Sequence, residues 1–415
     1  MRRKIILGIA IVGLLIVTLF NSELMPLRRE ISDMEIIIIA GLDKVGDEYM
    51  VTFIKRKQRG NNSEGDGQDA GGSQVISMTA DSYSVALRQL QTTTDKFTTA
   101  SHIKYYIVGE QTLREDFDHV TDAIARGYQT RLNSKIYLAK GMTAKEFLEK
   151  ASKLEFQVEE KLRNMENSFW EKGSSVDTDI LDFGHISFSE TGEGLVDALA
   201  FYSTAHEEQK DNMESSVGGK EEKTNEAISF GYGGTAIISD CKIVGFLDKD
   251  ETTIANYILG KNNVNVITAR DKENFVVFRI ENLNTKISFD FNENNIMTAI
   301  NVDVEFKANY EETNATIPIF TTDMISYFER ELNNTVKQQI EDIIAKEKEM
   351  GVDFLYLREK LEQKHPYKYE KNKYEFINNL RNSKINVNSK GTIQTTYDVV
   401  ESNKDQKGAI EWYII

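Results

Sequence analysis

The side chains in this sequence whose types suit acid–base, nucleophilic or metal chemistry are five histidines, one cysteine and many carboxylates. The histidines are His102, His119, His185, His206 and His365. No two stand at i, i+4 and none falls in an HExxH spacing, the arrangement that sets two imidazoles on one helix face around zinc. His102 precedes an expected strand and His119 lies in an expected helix, so both read as ordinary surface or core positions. Cys241 follows Asp240 at a strand turn, with Lys242 as its adjacent cation, and reads as a spectator thiol rather than an activated one. A single cysteine also rules out an intrachain disulfide framework and a CxxC zinc site. There is no G-x-S-x-G elbow. Gly231-Tyr232-Gly233-Gly234 leads into a strand, so it lacks the helix amide groups that cradle a phosphate and reads as a bend or bulge. The pairs Glu207-Glu208 and Glu221-Glu222 sit in a polar stretch where burial cannot raise a general acid's pKa. No catalytic residue, metal ligand or cofactor-binding residue is assigned. Neither an enzyme activity, a cofactor nor a small-molecule ligand is expected.

The elements around these positions alternate between strands and helices. Residues 35–42 (EIIIIAGL) form a near-continuous β-branched run, which predicts a strand buried on both faces; 49–55 alternate and predict its hairpin partner. Residues 74–78, 103–108 and 134–139 read as further strands. Asp81 or Ser82 caps a helix carrying Val85, Ala86, Leu87 and Leu90, and 116–126 fit a helix closed by Gly127. Thr143-Ala144-Lys145-Glu146 is a capping box ahead of Phe147 and Leu148. Residues 60–73 are Gly/Asn/Asp-rich with Ala70 as their one apolar member, and 205–227 are charged without apolar periodicity; both read as surface segments. Short strands follow at 229–239, 242–247, 263–268, 275–280, 286–291 and 296–306. Ile325, Phe328, Leu332, Val336, Ile340 and Ile343 then recur at steps of three and four, one face of a helix over 323–350 that should pack on the C-terminal sheet. Helices at 353–364 and 370–380 and strands at 383–388 and 392–399 close the chain. The fold class is mixed α+β (mixed α/β), in successive sheet-plus-helix domains: 23–204, a linker or long loop at 205–227, and 228–415.

Composition narrows the function classes. With 50 Lys+Arg against 66 Asp+Glu, the 415-residue chain carries −16, which argues against a nucleic-acid or anionic-lipid binding surface, since both would be repelled. The first residues point to export. Arg2, Arg3 and Lys4 precede 5–20 (IILGIAIVGLLIVTLF), apolar apart from Thr18. As a helix this run spans about 24 Å, between a secretory h-region and a comfortable span of the ~30 Å hydrocarbon core. No small-x-small cleavage pattern follows it, which favours an uncleaved signal-anchor over residues 1–22 against a cleaved signal peptide. Either way the basic end stays inside and the remainder, −19 without those three charges, is exported. Arg28, Arg29 and Glu30 then fall at head-group level, where a membrane partner is within reach.

Arg28-Arg29-Glu30-Ile31-Ser32-Asp33-Met34 and Gly41-Leu42-Asp43-Lys44, directly after a hydrophobic leader, resemble the mature N-terminus of the Ger(x)C family, the C subunits of bacterial spore germinant receptors. Ala86-Leu87-Arg88-Gln89-Leu90, His102-Ile103-Lys104 and Tyr106-Ile107-Val108-Gly109-Glu110 continue the pattern. Gly234-Thr235-Ala236-Ile237-Ile238, Lys242-Ile243-Val244-Gly245-Phe246-Leu247 and Asp250-Glu251-Thr252 resemble the family's most specific block, and Asp353-Phe354-Leu355 its Asp-Phe turn. The family is normally a lipoprotein; here its lipobox cysteine falls on Met25, and no cysteine occurs before Cys241, so anchoring would rest on the 5–20 helix. The resemblance implies successive α/β domains and a non-catalytic role in germination, assembled with a multi-spanning A subunit and a transporter-like B subunit at the spore inner membrane. Arg28, Arg29 and Glu30 are the partner-binding candidates. An envelope sensor or solute-binding module, and a cell-wall hydrolase, are the alternatives; a hydrolase requires a buried carboxylate pair in a cleft.

Overall fold

The computed structural model describes residues 11–13, 34–56, 73–94, 96–127, 129–154, 156–168, 173–203, 228–261, 264–271, 274–313 and 322–394. Of the apolar leader only 11–13 are among them, and these are helical; Arg28, Arg29, Glu30, His206 and the 205–227 stretch lie outside the described residues, as do 60–72. Among the described residues no helix is long and apolar enough to cross a membrane.

The β-branched run forms β1 (Met34–Val45), and its alternating neighbour forms β2 (Glu48–Arg56) in an antiparallel hairpin. With β3 (Ser73–Ala80), β4 (Phe97–Thr99), β5 (Tyr105–Gly109), β6 (Lys135–Ala139), β7 (Gly194–Ser203), β8 (Ile228–Ser239) and β9 (Lys242–Leu247) they make one sheet, ordered β3-β2-β1-β5-β6-β7-β8-β9, with β4 beside the start of β1. The four central strands β1, β5, β6 and β7 are parallel. Such strands are covered on both faces, which explains why β1 and β5 read as unbroken apolar runs. One face buries α1 (Tyr83–Thr93), α2 (Glu110–Ala125) and α5 (Ile180–Phe188) through Leu90, Phe117 and Phe183; the other buries α3 (Ala144–Ala151) and α4 (Val158–Asn167) through Phe147 and Leu162. Ser82 caps α1, accepting from the Val85 N–H. The helix expected from residue 116 begins at Glu110: the backbone leaves helical geometry at Asp116 (φ −150°, ψ 40°), whose carboxylate accepts from Tyr49 and pairs with Lys44 at 3.1 Å.

The family-like block around Gly234 and Leu247 supplies β8 and β9, which complete the first sheet although they follow the 205–227 stretch. Gly234, at φ +94°, is where β8 passes so close to the Leu247 carbonyl that no Cβ fits. α6 (Lys249–Leu259) then leads to a second sheet, ordered β10-β11-β12-β13, of Asn265–Asp271, Asn274–Phe291, Met297–Thr313 and Lys384–Gln394. The two strands expected at 275–280 and 286–291 are one, β11. Its pairing with β12 slips between Glu281 and Asn284, and Asn282 takes φ +54°, a conformation Asn tolerates. The long helix is α7 (Thr322–Met350), and Phe328, Leu332, Val336, Ile340 and Ile343 are buried as their spacing requires, with Ile344 added and Ile325 half-buried. The Asn333 amide clasps β13, donating to the Gly391 carbonyl and accepting from its N–H at 2.6 Å. After it come α8 (Leu357–Lys364), α9 (Pro366–Asn372), a 3-10 turn (Lys373–Glu375) and α10 (Phe376–Asn382). The single helix expected at 370–380 is broken because the buried Asn372 side chain turns to the β11–β12 connection, accepting from the Met297 N–H and donating to the Asn295 carbonyl. One core cluster joins Leu195, Ile237 and Leu247 of the first sheet to α6, α7 and the second sheet.

Candidate functional site

The connections after neighbouring strands β5 and β6 go to opposite faces, α2 on one and α3 on the other. In an open α/β sheet this is the topological switch point, where ligands commonly sit beyond the strand ends. A cleft of about 580 Å³ opens there, lined by Asp43, Lys44, Met50, Glu110, Thr143 and Glu149 among others. The chain's own carboxylates fill its anion-binding positions. Asp43, 2% exposed, accepts from the Ala144 and Lys145 N–H groups at 2.7 and 2.8 Å at the start of α3. Thr143 and Glu146 complete the expected capping box, and Glu110 accepts from the Gly141 N–H at 2.8 Å. Gly109 is obligatory beneath them: a Cβ there would strike the Asp43 carboxylate. A phosphate would find these amides occupied and three carboxylates around it, so this switch point is shaped for holding the strand ends together rather than for a nucleotide. Thr143→Ala, which removes one half of the box, is expected to cost about 1 kcal/mol of stability in a denaturation midpoint.

Two further carboxylate centres escape sequence reasoning because their partners are distant in the chain. Asp197 on β7 is fully buried and holds the 175–178 segment: it accepts from Ser175 Oγ at 2.7 Å, the Val176 N–H at 2.8 Å and the Thr178 N–H at 3.2 Å. Burial pushes its pKa up, and these donors pull against that. The second centre joins the two sheets. Asp353, in the Asp-Phe turn after α7, accepts from the Leu357 and Arg358 N–H groups at 2.7 and 2.8 Å, so it caps α8. Glu193, just before β7, accepts from the Asp353 N–H and faces Arg358 at 3.8 Å. Glu347 accepts from the Leu355 N–H at 2.8 Å, while its other oxygen finds no donor and lies against Asp353. Burial and the neighbouring Asp353 charge raise Glu347 well above the usual carboxylate range, which favours its protonated form. Burial lifts Asp353 to about 6.

This is a buried carboxylate pair beside a cleft, the feature set out for a hydrolase, but its geometry serves another end. Glu347 is 0% exposed, and both Asp353 oxygens are engaged by backbone amides, so neither offers a face to a substrate. The cysteine and histidines are likewise scattered. Burial and the neighbouring Asp118 push the Cys241 thiol up to about 12, keeping it protonated. His119 stacks on Tyr49, His365 packs edge-on against Phe291, His102 is exposed in a turn and His185 lies on α5. Among the described residues no group of three His, Cys, Asp or Glu could hold a metal ion.

Two family models match in succession: a spore germination protein N-terminal domain over residues 28–198, and a spore germination B3/GerAC-like C-terminal domain over 233–397. This chain belongs to the Ger(x)C family. The first model begins on Arg28, so the three candidate partner-binding residues fall inside the matched span. No curated protein matches the chain. A solved structure described as the crystal structure of the GerBC protein matches with 17% identity and a TM-score of 0.51, covering 85% of this chain and 96% of that one. That likeness establishes a shared mixed α/β fold. Membership of the Ger(x)C family gives the chain a germination-related role.

Proposed function

We propose that this Ger(x)C protein is a non-catalytic, membrane-anchored extracytoplasmic subunit of a spore germinant receptor, acting by assembly with integral-membrane A and B subunits. The observation that carries the reading is the order of the two family blocks, which follow one another over nearly the whole chain behind the leader. The Arg2-Arg3-Lys4 n-region, the 5–20 apolar run and the missing lipobox cysteine support anchoring by a helix rather than by a lipid. The fold supports a docking body: buried carboxylates are used to fasten strands, turns and sheets to one another. Arg28, Arg29 and Glu30 remain the proposed membrane-proximal partner contacts.

The full-length protein purified from spore membranes is expected to retain a multi-spanning partner, and its deletion is expected to abolish the response to one germinant class. Purification without any membrane partner, together with normal germination of the deletion strain in every germinant, would defeat the proposal.

A further inference from the structure

Tyr367 and Tyr374 are 92% and 88% exposed, more than any other large hydrophobic or aromatic side chain among the described residues. A tyrosine ring standing free in water gains nothing from its apolar body, whereas at a membrane surface the ring and the hydroxyl each find a suitable layer. The two rings are rigidly presented. Tyr367 lies in the first turn of α9 and Tyr374 in the 3-10 turn after it; the buried Asn372 pins α9 to the β11–β12 connection, while His365 packs against Phe291 and the Lys368 ammonium lies 3.9 Å from the Phe291 ring centroid. The segment around them is rich in cations: Lys371 is exposed, Lys364, also exposed, donates from its ammonium to the Ile287 carbonyl, and Lys373 pairs with Glu370 beside the Tyr374 ring. From Leu357 to Lys384 the chain carries eight Lys and Arg against four Glu, a net +4, so the remainder of the −16 protein carries −20. This is a local reversal of sign on an acidic molecule.

Its position suits that surface. The strands β1, β5, β6 and β7 are parallel and in register, so Met34 at the start of β1 and Glu193 just before β7 lie at one end of the sheet. β1 begins at Met34, and α8, followed directly by α9, is fastened to Glu193 through Arg358 and the Asp353 that caps it. The aromatic–basic segment therefore lies toward the end of the sheet at which β1 begins.

We infer that the α9 segment, with Tyr367 and Tyr374 as interfacial rings and Lys364, Lys368 and Lys371 as cations, is a contact surface for anionic phospholipid head groups, giving the exported body a second attachment beside its anchor. This rests on the membrane-anchored reading above. The test uses the full chain with Trp170→Phe and Trp412→Phe, so that Tyr367→Trp is the sole indole, reconstituted in vesicles of phosphatidylcholine or of phosphatidylcholine with phosphatidylglycerol. Flotation reports anchoring, and indole emission reports the surface. With brominated phosphatidylglycerol most of the emission is expected to be lost. Adding Lys368→Glu and Lys371→Glu should restore it, while a Val266→Trp indole on β10 should stay bright. Vesicles that float with the protein but leave the Tyr367→Trp emission unchanged would overturn the inference and leave the anchor standing. Protection of that indole only when a membrane-protein partner is added would likewise overturn it, in favour of a protein contact. Failure to float would count against the anchored reading itself.

Discussion

Replacing Asp197 by alanine is expected to cost about 3–5 kcal/mol of stability, because three buried donors lose their acceptor at once. Ser175 Oγ and the N–H groups of Val176 and Thr178 point at this one carboxylate, and no water reaches a residue that is 0% exposed. The loss should spread beyond the site, since Asn256 and Lys261 also bind carbonyls of the 173–176 segment. Asp197→Asn keeps an acceptor oxygen and should lose distinctly less. Denaturant unfolding of the two variants beside the parent decides it; a loss below about 0.5 kcal/mol for the alanine variant, the usual surface value, would show that the segment holds without its clamp.

The joint between the sheets should make stability fall as pH rises. Asp353 and Glu347 have folded-state pKa values raised above their unfolded ones, so the folded state binds the extra proton. Their contribution is intact below the unfolded values and is lost as pH climbs through the folded ones. For Asp353, moving from 3.8 to about 6, the window opens near pH 4 and closes above pH 6, and the loss is about 3 kcal/mol. Glu193 adds like charge, while the Leu357 and Arg358 amides oppose the shift. Glu347→Gln keeps a neutral hydrogen-bonding group against Asp353 at every pH. Its melting temperature should therefore gain on the parent's between pH 5 and pH 8. A constant difference across that range would remove proton uptake by Glu347 from the account. Asp116 and Glu146, held below their usual range by their hydrogen bonds, act in the opposite sense at lower pH, and the comparison with the variant cancels them.

Elements with a local cause were legible in the sequence. The Thr143 box, the Ser82 cap, the β1 run and the six-residue stripe of α7 each depend on neighbours a few residues away, and each stands in the structure. The helices α4 and α5 were not seen: they are short and lie among polar residues, and α5 buries Phe183 against Phe117 while leaving Leu181 and Phe188 exposed, so it has no clean polar face. The carboxylate clamps were invisible for a different reason. Asp43 meets Ala144, and Glu193 meets Asp353, across 101 and 160 residues of chain. A single aspartate in a strand carries no sign of the amide it will accept from. The Asp-Phe turn carried a family likeness but not its cause, which is that Asp353 caps α8 while Phe354 and Leu355 are fully buried.

The membership of β8 and β9 in the first sheet has a consequence for synthesis. Until residue 239 has been made, β7 lacks its antiparallel neighbour, and Asp197, whose strand is flanked by β8, has no Thr235 beside it. A nascent chain ending in the 205–227 stretch would display the hydrogen-bonding edge of β7 to any other chain, a recognised route to mispairing. The first layer therefore matures late, after the N-terminal family block is complete. A fragment cut between the two blocks would be a folding intermediate with an open edge, not a free-standing module.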